Sequence, residues 1–108
     1  MITRGDVCVA DIPGVGRHPV VVVTRDTAVP VLTSVVCVLV TTRVRGHVAE
    51  VEVGSDEGLR EECVANCDNL FTLPQAVLRH VGRLGPTKLH ELDQALAVAL
   101  GLRLRPSP

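Results

Sequence analysis

The sequence predicts a mainly β protein: a small antiparallel barrel followed by one C-terminal helix. Three observations carry that expectation. Valine-rich runs of strand length recur through the first three quarters of the chain, at 7–10 (V-C-V-A), 19–24 (P-V-V-V-V-T) and 35–40 (V-V-C-V-L-V), separated by glycine, proline and charged residues. The segment 47–53 (H-V-A-E-V-E-V) alternates apolar and acidic residues with the two-residue period of a half-exposed strand. The pattern then changes to a helical period after Gly85-Pro86. Five to seven short strands with a terminal amphipathic helix suit a barrel, and no internal repeat interrupts the pattern.

Each element follows from local chemistry. The first strand is expected at Asp6–Ile12 after the polar Arg4-Gly5. The loop 13–16 (P-G-V-G) has two glycines free to take positive φ, but it is too short for a phosphate-cradling loop and no helix follows it. The second strand, 19–24, is continuously apolar and so central, with Arg17 and His18 at its entrance. Residues 28–33, with Pro30, form a connector, and 34–42 the third strand. After the strand at 47–53 comes a charged turn at 54–62, then a short strand at 62–66. Asn66-Cys67-Asp68-Asn69 is read as a polar knot from which Leu70-Phe71 re-enters the core. One helical turn is expected at 73–76, a closing strand at 77–84 and the helix at 86–101. Pro86 is tolerated in the first turn, Gly101 is a stop, and Leu89, Leu92, Leu96, Ala99 and Leu100 form the apolar stripe. The domain is taken as 1–102, with 103–108 a frayed tail.

A chain of 108 residues makes one domain with a marginal buried fraction, which oligomerisation would supplement. Phe71 is the only aromatic residue, so recognition of single strands by base stacking is nearly excluded. The net charge of −1 gives no global signal for nucleic acid. The acids nevertheless gather at 50–62 while Arg17, Arg25, Arg43 and Arg45 lie elsewhere, which leaves room for a local basic patch. No signal-peptide pattern opens the chain and no apolar run reaches a membrane span, so a soluble cytoplasmic protein is expected. Cys8 and Cys37 sit inside apolar runs and read as core thiols. Cys63 and Cys67 share a strand face at roughly 13 Å, too far apart for one bond or one ion. No metal or other cofactor is expected.

The stretch 34–46 (S-V-V-C-V-L-V-T-T-R-V-R-G) directs attention to function. A strand buried on both faces ends there in two hydroxyls and two arginines, so function is sought at Thr41, Thr42, Arg43 and Arg45. Asn66 and Asp68 are weighed as turn caps and as substrate contacts. His80 is read as a structural histidine, and the Glu50 and Glu52 face as merely solvated.

With R-G-D-V-C-V-A-D at 4–11, H-P-V-V-V-V-T at 18–24 and V-L-V-T-T-R-V-R-G at 38–46, the chain resembles the MazF/PemK toxin family. The likeness continues through S-D-E-G-L at 55–59, V-A-N-C-D-N-L at 64–70, G-R-L-G at 82–85 and A-L-G-L at 99–102. The resemblance implies an SH3-like barrel, a homodimer, and the toxin of a type II toxin–antitoxin pair whose small antitoxin has an acidic segment. It implies metal-independent cleavage of single-stranded RNA, with the ribose 2′-OH attacking the adjacent phosphate to leave a 2′,3′-cyclic phosphate and a 5′-OH.

That chemistry needs a base, an acid and donors for the phosphorane oxygens. The family supplies a threonine at the end of the third strand, which Thr41 matches, and an arginine just before the proline of the second. Here His18 occupies that place and Arg17 precedes it. Either His18 takes the catalytic role, imidazole being a chemically better acid–base than guanidinium, or Arg17 reaches in. Strand alternation would let only one of them serve directly. The alternatives are a catalytically impaired barrel that still binds antitoxin or RNA, and membership of the structurally similar toxins that poison DNA gyrase.

Overall fold

The structure, a computed structural model, describes residues 2–103. Met1 and residues 104–108 of the expected frayed tail lie outside the described residues. Among the described residues six strands precede one α-helix: β1 (Asp6–Ile12), β2 (Gly16–Val22), β3 (Ser34–Thr41), β4 (Glu50–Val53), β5 (Cys63–Pro74), β6 (Arg79–Arg83) and α1 (Pro86–Leu100). Every strand pairing is antiparallel, and the order β4-β5-β3-β2-β1-β6 curls into a half-barrel.

The valine runs are continuous because the sheet is covered on both faces. Val7, Val21, Val38 and Val40 join one apolar cluster, which α1 completes with Leu92, Ala95 and Leu96. Their strand neighbours Cys8, Val20, Val22, Cys37 and Leu39 alternate into a second cluster with Val29 and Leu73. At roughly 25 cal/mol per Å² of apolar area removed from water, burial on both sides is the main stabilising term.

Three strands differ from expectation in their starting points; among them β6 begins at Arg79, not residue 77, because the expected helical turn falls at Gln75–Val77 and not at 73–76. β2 begins at Gly16, not residue 19, because the turn is tight and closes with the Val15 N–H donating to the Ile12 carbonyl at 2.9 Å. Arg17 and His18 therefore lie within the strand, opposite Asp11 and Ala10. β4 begins at Glu50, not residue 47, since a turn with the Glu50 N–H on the His47 carbonyl precedes it and leaves Val48 exposed.

The largest correction concerns β5. The expected short strand and polar knot are one strand of 12 residues. Its pairing with β3 jumps from Val38↔Leu70 to Leu39↔Asn66, so 67–69 are extra residues accommodated as a bulge. The Asn66 side-chain oxygen accepts the Asp68 N–H at 3.0 Å across that bulge, and the Cys67 N–H donates to the Ala49 carbonyl. Polar residues there terminate no strand; they turn it.

The helix closes as expected, with Gly101 at φ 68° donating to the last carbonyls. Its buried stripe, however, takes in Ala95 and excludes Leu100, which is 54% exposed. Arg4 ties this helix to the sheet, its guanidinium meeting Asp93 at 2.7 Å and the Val23 carbonyl at 3.0 Å.

The edges β4 and β6 are joined not by a ladder but by the 3₁₀ turn Ser55–Glu57, which packs on β6. Glycine is required at both points of contact. A Cβ on Gly58, already at φ 90°, would strike the Val81 carbonyl oxygen, and one on Gly82 would strike the Glu57 carbonyl. This contact sets the position of everything between residues 58 and 62.

All four cysteines are buried and unpaired. Burial, with Asp6 and Asp68 nearby respectively, pushes the Cys8 and Cys67 thiols up to about 11. Burial and the neighbouring Cys8 push Cys37 to about 12. No helix among the described residues is long and apolar enough to cross a membrane.

Candidate active site

A pocket of about 560 Å³ opens where the ends of β2 and β3, the face of β6 and the loop after the Ser55–Glu57 turn converge. Four residues singled out from the sequence line it: Arg17, His18, Thr41 and Thr42. Arg43, Arg45, Asn66 and Asp68 lie outside its lining. The Asn66 side chain is engaged in the bulge, while Arg43 and Arg45 are exposed on the loop after β3.

The position of His18 follows from the proline beside it. In the β2–β3 ladder the Val23 N–H meets the Val36 carbonyl at 2.9 Å, and the register continues through Val21↔Val38. Two residues further on, the next bonded pair of an antiparallel ladder would be Pro19 with Val40. Proline has no N–H to give, so the Val40 carbonyl loses its strand donor. His18 supplies one instead, with its Nδ1 3.2 Å from the Val40 oxygen. A carbonyl only accepts, so Nδ1 carries the proton and the neutral ring keeps its lone pair at Nε2.

Thr41 is set by the exit of β3. The Arg43 N–H donates to the Thr41 hydroxyl oxygen at 3.1 Å, closing a short turn. The hydroxyl keeps its own hydrogen free to donate. A ring with a basic Nε2 and a hydroxyl with a free O–H therefore border the same pocket, held by adjacent residues of β3.

Alternation predicts that only one of Arg17 and His18 reaches the site, yet both line the pocket. The ladder stops at Val20↔Leu39, so the chain from 17 to 19 lies at the frayed corner where β2 leaves β3. Arg17 shares the strand face of Pro19, and through Val9 that of Arg79 on β6.

Three further lining residues escaped the sequence reading: Arg60, Glu61 and Arg79. Arg60 and Glu61 fell inside the charged turn, where nothing distinguished them from solvated charges. Arg79 enters through the pairing Val9↔Arg79, a contact seventy residues apart in the chain that no local pattern announces. Arg17, Arg60 and Arg79 thus reach one pocket from three segments, and among the described residues none of them is in an ion pair. The opening is electropositive and suits a phosphate-bearing ligand.

Glu50, read from the sequence as merely solvated, has structural work. Its carboxylate accepts the N–H groups of Arg45, Gly46 and His47 at 2.9 to 3.3 Å. His80, expected to be structural, is half-exposed and faces Asp6 at 3.5 Å.

Residues 3–100 match the family model described as "PemK-like, MazF-like toxin of type II toxin-antitoxin system". The chain is 41% identical over 100 residues to "Probable endoribonuclease MazF2" of Mycobacterium tuberculosis, covering 91% of this chain and 97% of that protein. Among solved structures it is similar to Mycobacterium tuberculosis toxin MazF-mt6, with a TM-score of 0.85, 33% identity and coverage of 92% and 99% of the two chains. It is similar also to a mycobacterial endoribonuclease solved in complex with its cognate antitoxin, with a TM-score of 0.86, 31% identity and coverage of 97% and 100%.

Proposed function

The chain belongs to the PemK/MazF-like toxin family of type II toxin–antitoxin systems, and on that premise we propose that it cleaves single-stranded RNA at the pocket of Thr41 and His18. The observation that carries this reading is the anchoring of His18 Nδ1 on the Val40 carbonyl, which leaves Nε2 as the ring nitrogen with a free lone pair in the pocket that Thr41 also lines.

In the proposed reaction Nε2 of His18 takes the proton of the ribose 2′-OH. The 2′-oxygen bonds to phosphorus, and the Thr41 hydroxyl donates to a non-bridging oxygen as charge gathers there. Arg17 and Arg79 at the opening stabilise that charge, guanidinium being suited to paired donation to phosphate. The bond from phosphorus to the 5′-oxygen then breaks. That oxygen takes a proton from water in the open pocket, and the imidazolium returns its own to solvent. The products are a 2′,3′-cyclic phosphate and a 5′-OH, with no step that calls for a metal. Thr42, Arg43 and Arg45 are assigned to backbone phosphates outside the reacting centre.

We assign the antitoxin as the physiological inhibitor, its acidic segment entering the same basic pocket. The relative solved with its cognate antitoxin supports that assignment. The working unit is taken as a homodimer, in keeping with the small core.

Purified protein is expected to cut a long single-stranded RNA in the presence of EDTA, leaving 5′-OH ends. Thr41→Ala and His18→Ala are each expected to lower kcat/KM by about a hundredfold or more. Intact RNA at high protein concentration, or 5′-phosphate ends, would sink the proposal. His18→Arg separates working histidine from decayed site: it loses activity if the imidazole is the base and gains activity if arginine is what the site lacks.

A further inference from the structure

The pocket contains one feature that phosphate binding does not explain. Glu61 lines it together with Arg17, Arg60 and Arg79. A carboxylate in a phosphate-binding opening repels its ligand unless it meets a hydrogen-bond donor, and it is paired with none of the three arginines. In single-stranded RNA such donors are the ribose 2′-OH, which the proposed reaction gives to His18, and the donors on the base edges.

The segment that carries it is held in place from both sides. Before it, Gly58 sits against the β6 backbone at Gly82, and Leu59 is buried in the core. After it, the Cys63 thiol donates to the Glu61 carbonyl at 3.4 Å and β5 begins. The chain bends at Arg60-Glu61, so two consecutive side chains border the same opening where an extended chain would separate them. A rigid mount of this kind suits selection of one base better than attraction of any phosphate.

Resting on the endoribonuclease reading of the same pocket, we infer that Glu61, with Arg60 beside it, selects a guanine next to the bound phosphate. Guanine is the RNA base whose Watson–Crick edge presents two adjacent donors, N1–H and N2–H, to the two oxygens of one carboxylate. Its O6 and N7 acceptors lie on the neighbouring edge, where a guanidinium donates in pairs. Adenine, cytosine and uracil each offer a single donor group to Glu61. Arg17 and Arg79 are left to the phosphate.

The test uses binding, so that it does not depend on turnover. A short 2′-O-methylated oligouridylate carrying one central guanosine is compared with the same oligonucleotide carrying inosine, which lacks the N2 amino group, or cytidine. The guanosine probe is expected to bind about tenfold more tightly than either, a loss typical of one bidentate base contact. In Glu61→Ala the advantage over inosine falls to about one, which a merely structural role would not produce; Glu61→Gln, with one acceptor, lies between. Equal binding of the guanosine and inosine probes, a preference for cytidine, or a guanosine advantage kept in Glu61→Ala overturns the assignment. The two readings fail separately. Guanosine-selective binding without cleavage of unmodified RNA sinks the nuclease proposal alone, cleavage without guanosine selection sinks this inference alone, and no binding with no cleavage sinks both.

Discussion

The two loops that flank β4 each turn on a glutamate that accepts backbone N–H groups, and they hold their arginines in opposite ways. Before β4, Glu50 gathers the N–H groups of Arg45, Gly46 and His47 from a half-exposed position, and the loop it ties keeps Val44 and Val48 in water. After β4, Glu57 is 7% exposed and accepts the Gly54 N–H at 2.7 Å, while Gly58 and Leu59 fasten the chain to β6 and the core. The first loop leaves Arg43 and Arg45 outside the pocket; the second puts Arg60 and Glu61 into it. A loop seated on the core delivers side chains to fixed points, whereas one tied by a single solvent-facing acceptor supplies charge near the site without setting geometry.

The sharpest way to break this contrast is to unseat the second loop. Gly58→Ala adds left-handed strain to a collision with the β6 backbone, and Gly82→Ala produces the same collision from the other side. Each is expected to lose roughly 3 kcal/mol or more, with a fall in Tm on the order of 10 °C, and cleavage should fall with it. A Tm within a degree or two of the parent would mean that the second loop is not seated on β6.

Next in size is Glu57→Ala, which strips a buried N–H of its acceptor and is expected to lose about 1 to 3 kcal/mol. Glu57→Gln keeps an oxygen in place and should recover most of the stability. Urea titration reads both, and equal losses would show that the charge matters rather than the bond.

The same contrast explains what was legible in the sequence. β1, the start of β3 and α1 were readable because hydrophobic period and punctuation agree over short spans. Thr41 stands out because a hydroxyl at the end of a doubly buried strand is a local signal, and the structure puts it in the pocket lining. Arg79 was not, since it reaches the pocket only through the β1–β6 register. Arg60 and Glu61 look like any charged turn until the Gly58–Gly82 contact aims them. The 67–69 bulge was misread as a break because polar residues mark both. Glu50 and Glu52 share an alternating pattern, and only the folded loop separates a carboxylate that gathers three N–H groups from one in solvent.

A third measurement concerns the buried thiols of the sheet, Cys8, Cys37 and Cys67. The Cys37, Cys8 and Cys67 values stand at about 12, 11 and 11 in the folded chain against 9.0 for the free group. Raised values mean that the folded state holds protons the unfolded state gives up. Their contribution is therefore complete below pH 9 and is lost as pH rises from 9 toward 11 or 12. Tm is expected to be level from pH 6 to 8 and to fall above 9, less steeply in Cys37→Ala; a slope unchanged by that substitution would place the effect elsewhere.

The smallest effects belong to the loop before β4. Glu50→Ala is expected to change stability by about 1 kcal/mol or less, because the freed N–H groups meet water. Arg43→Ala and Arg45→Ala should leave Tm in place and reduce the dependence of log K for single-stranded RNA on log salt by about 0.7 each, the counterion release of one phosphate contact. The loss should be uniform over sequences, with the cut position unmoved, because charge held without fixed geometry cannot distinguish bases. If either substitution moves the cut position, that loop is as well placed as its neighbour, and one solvent-facing glutamate is enough to aim an arginine.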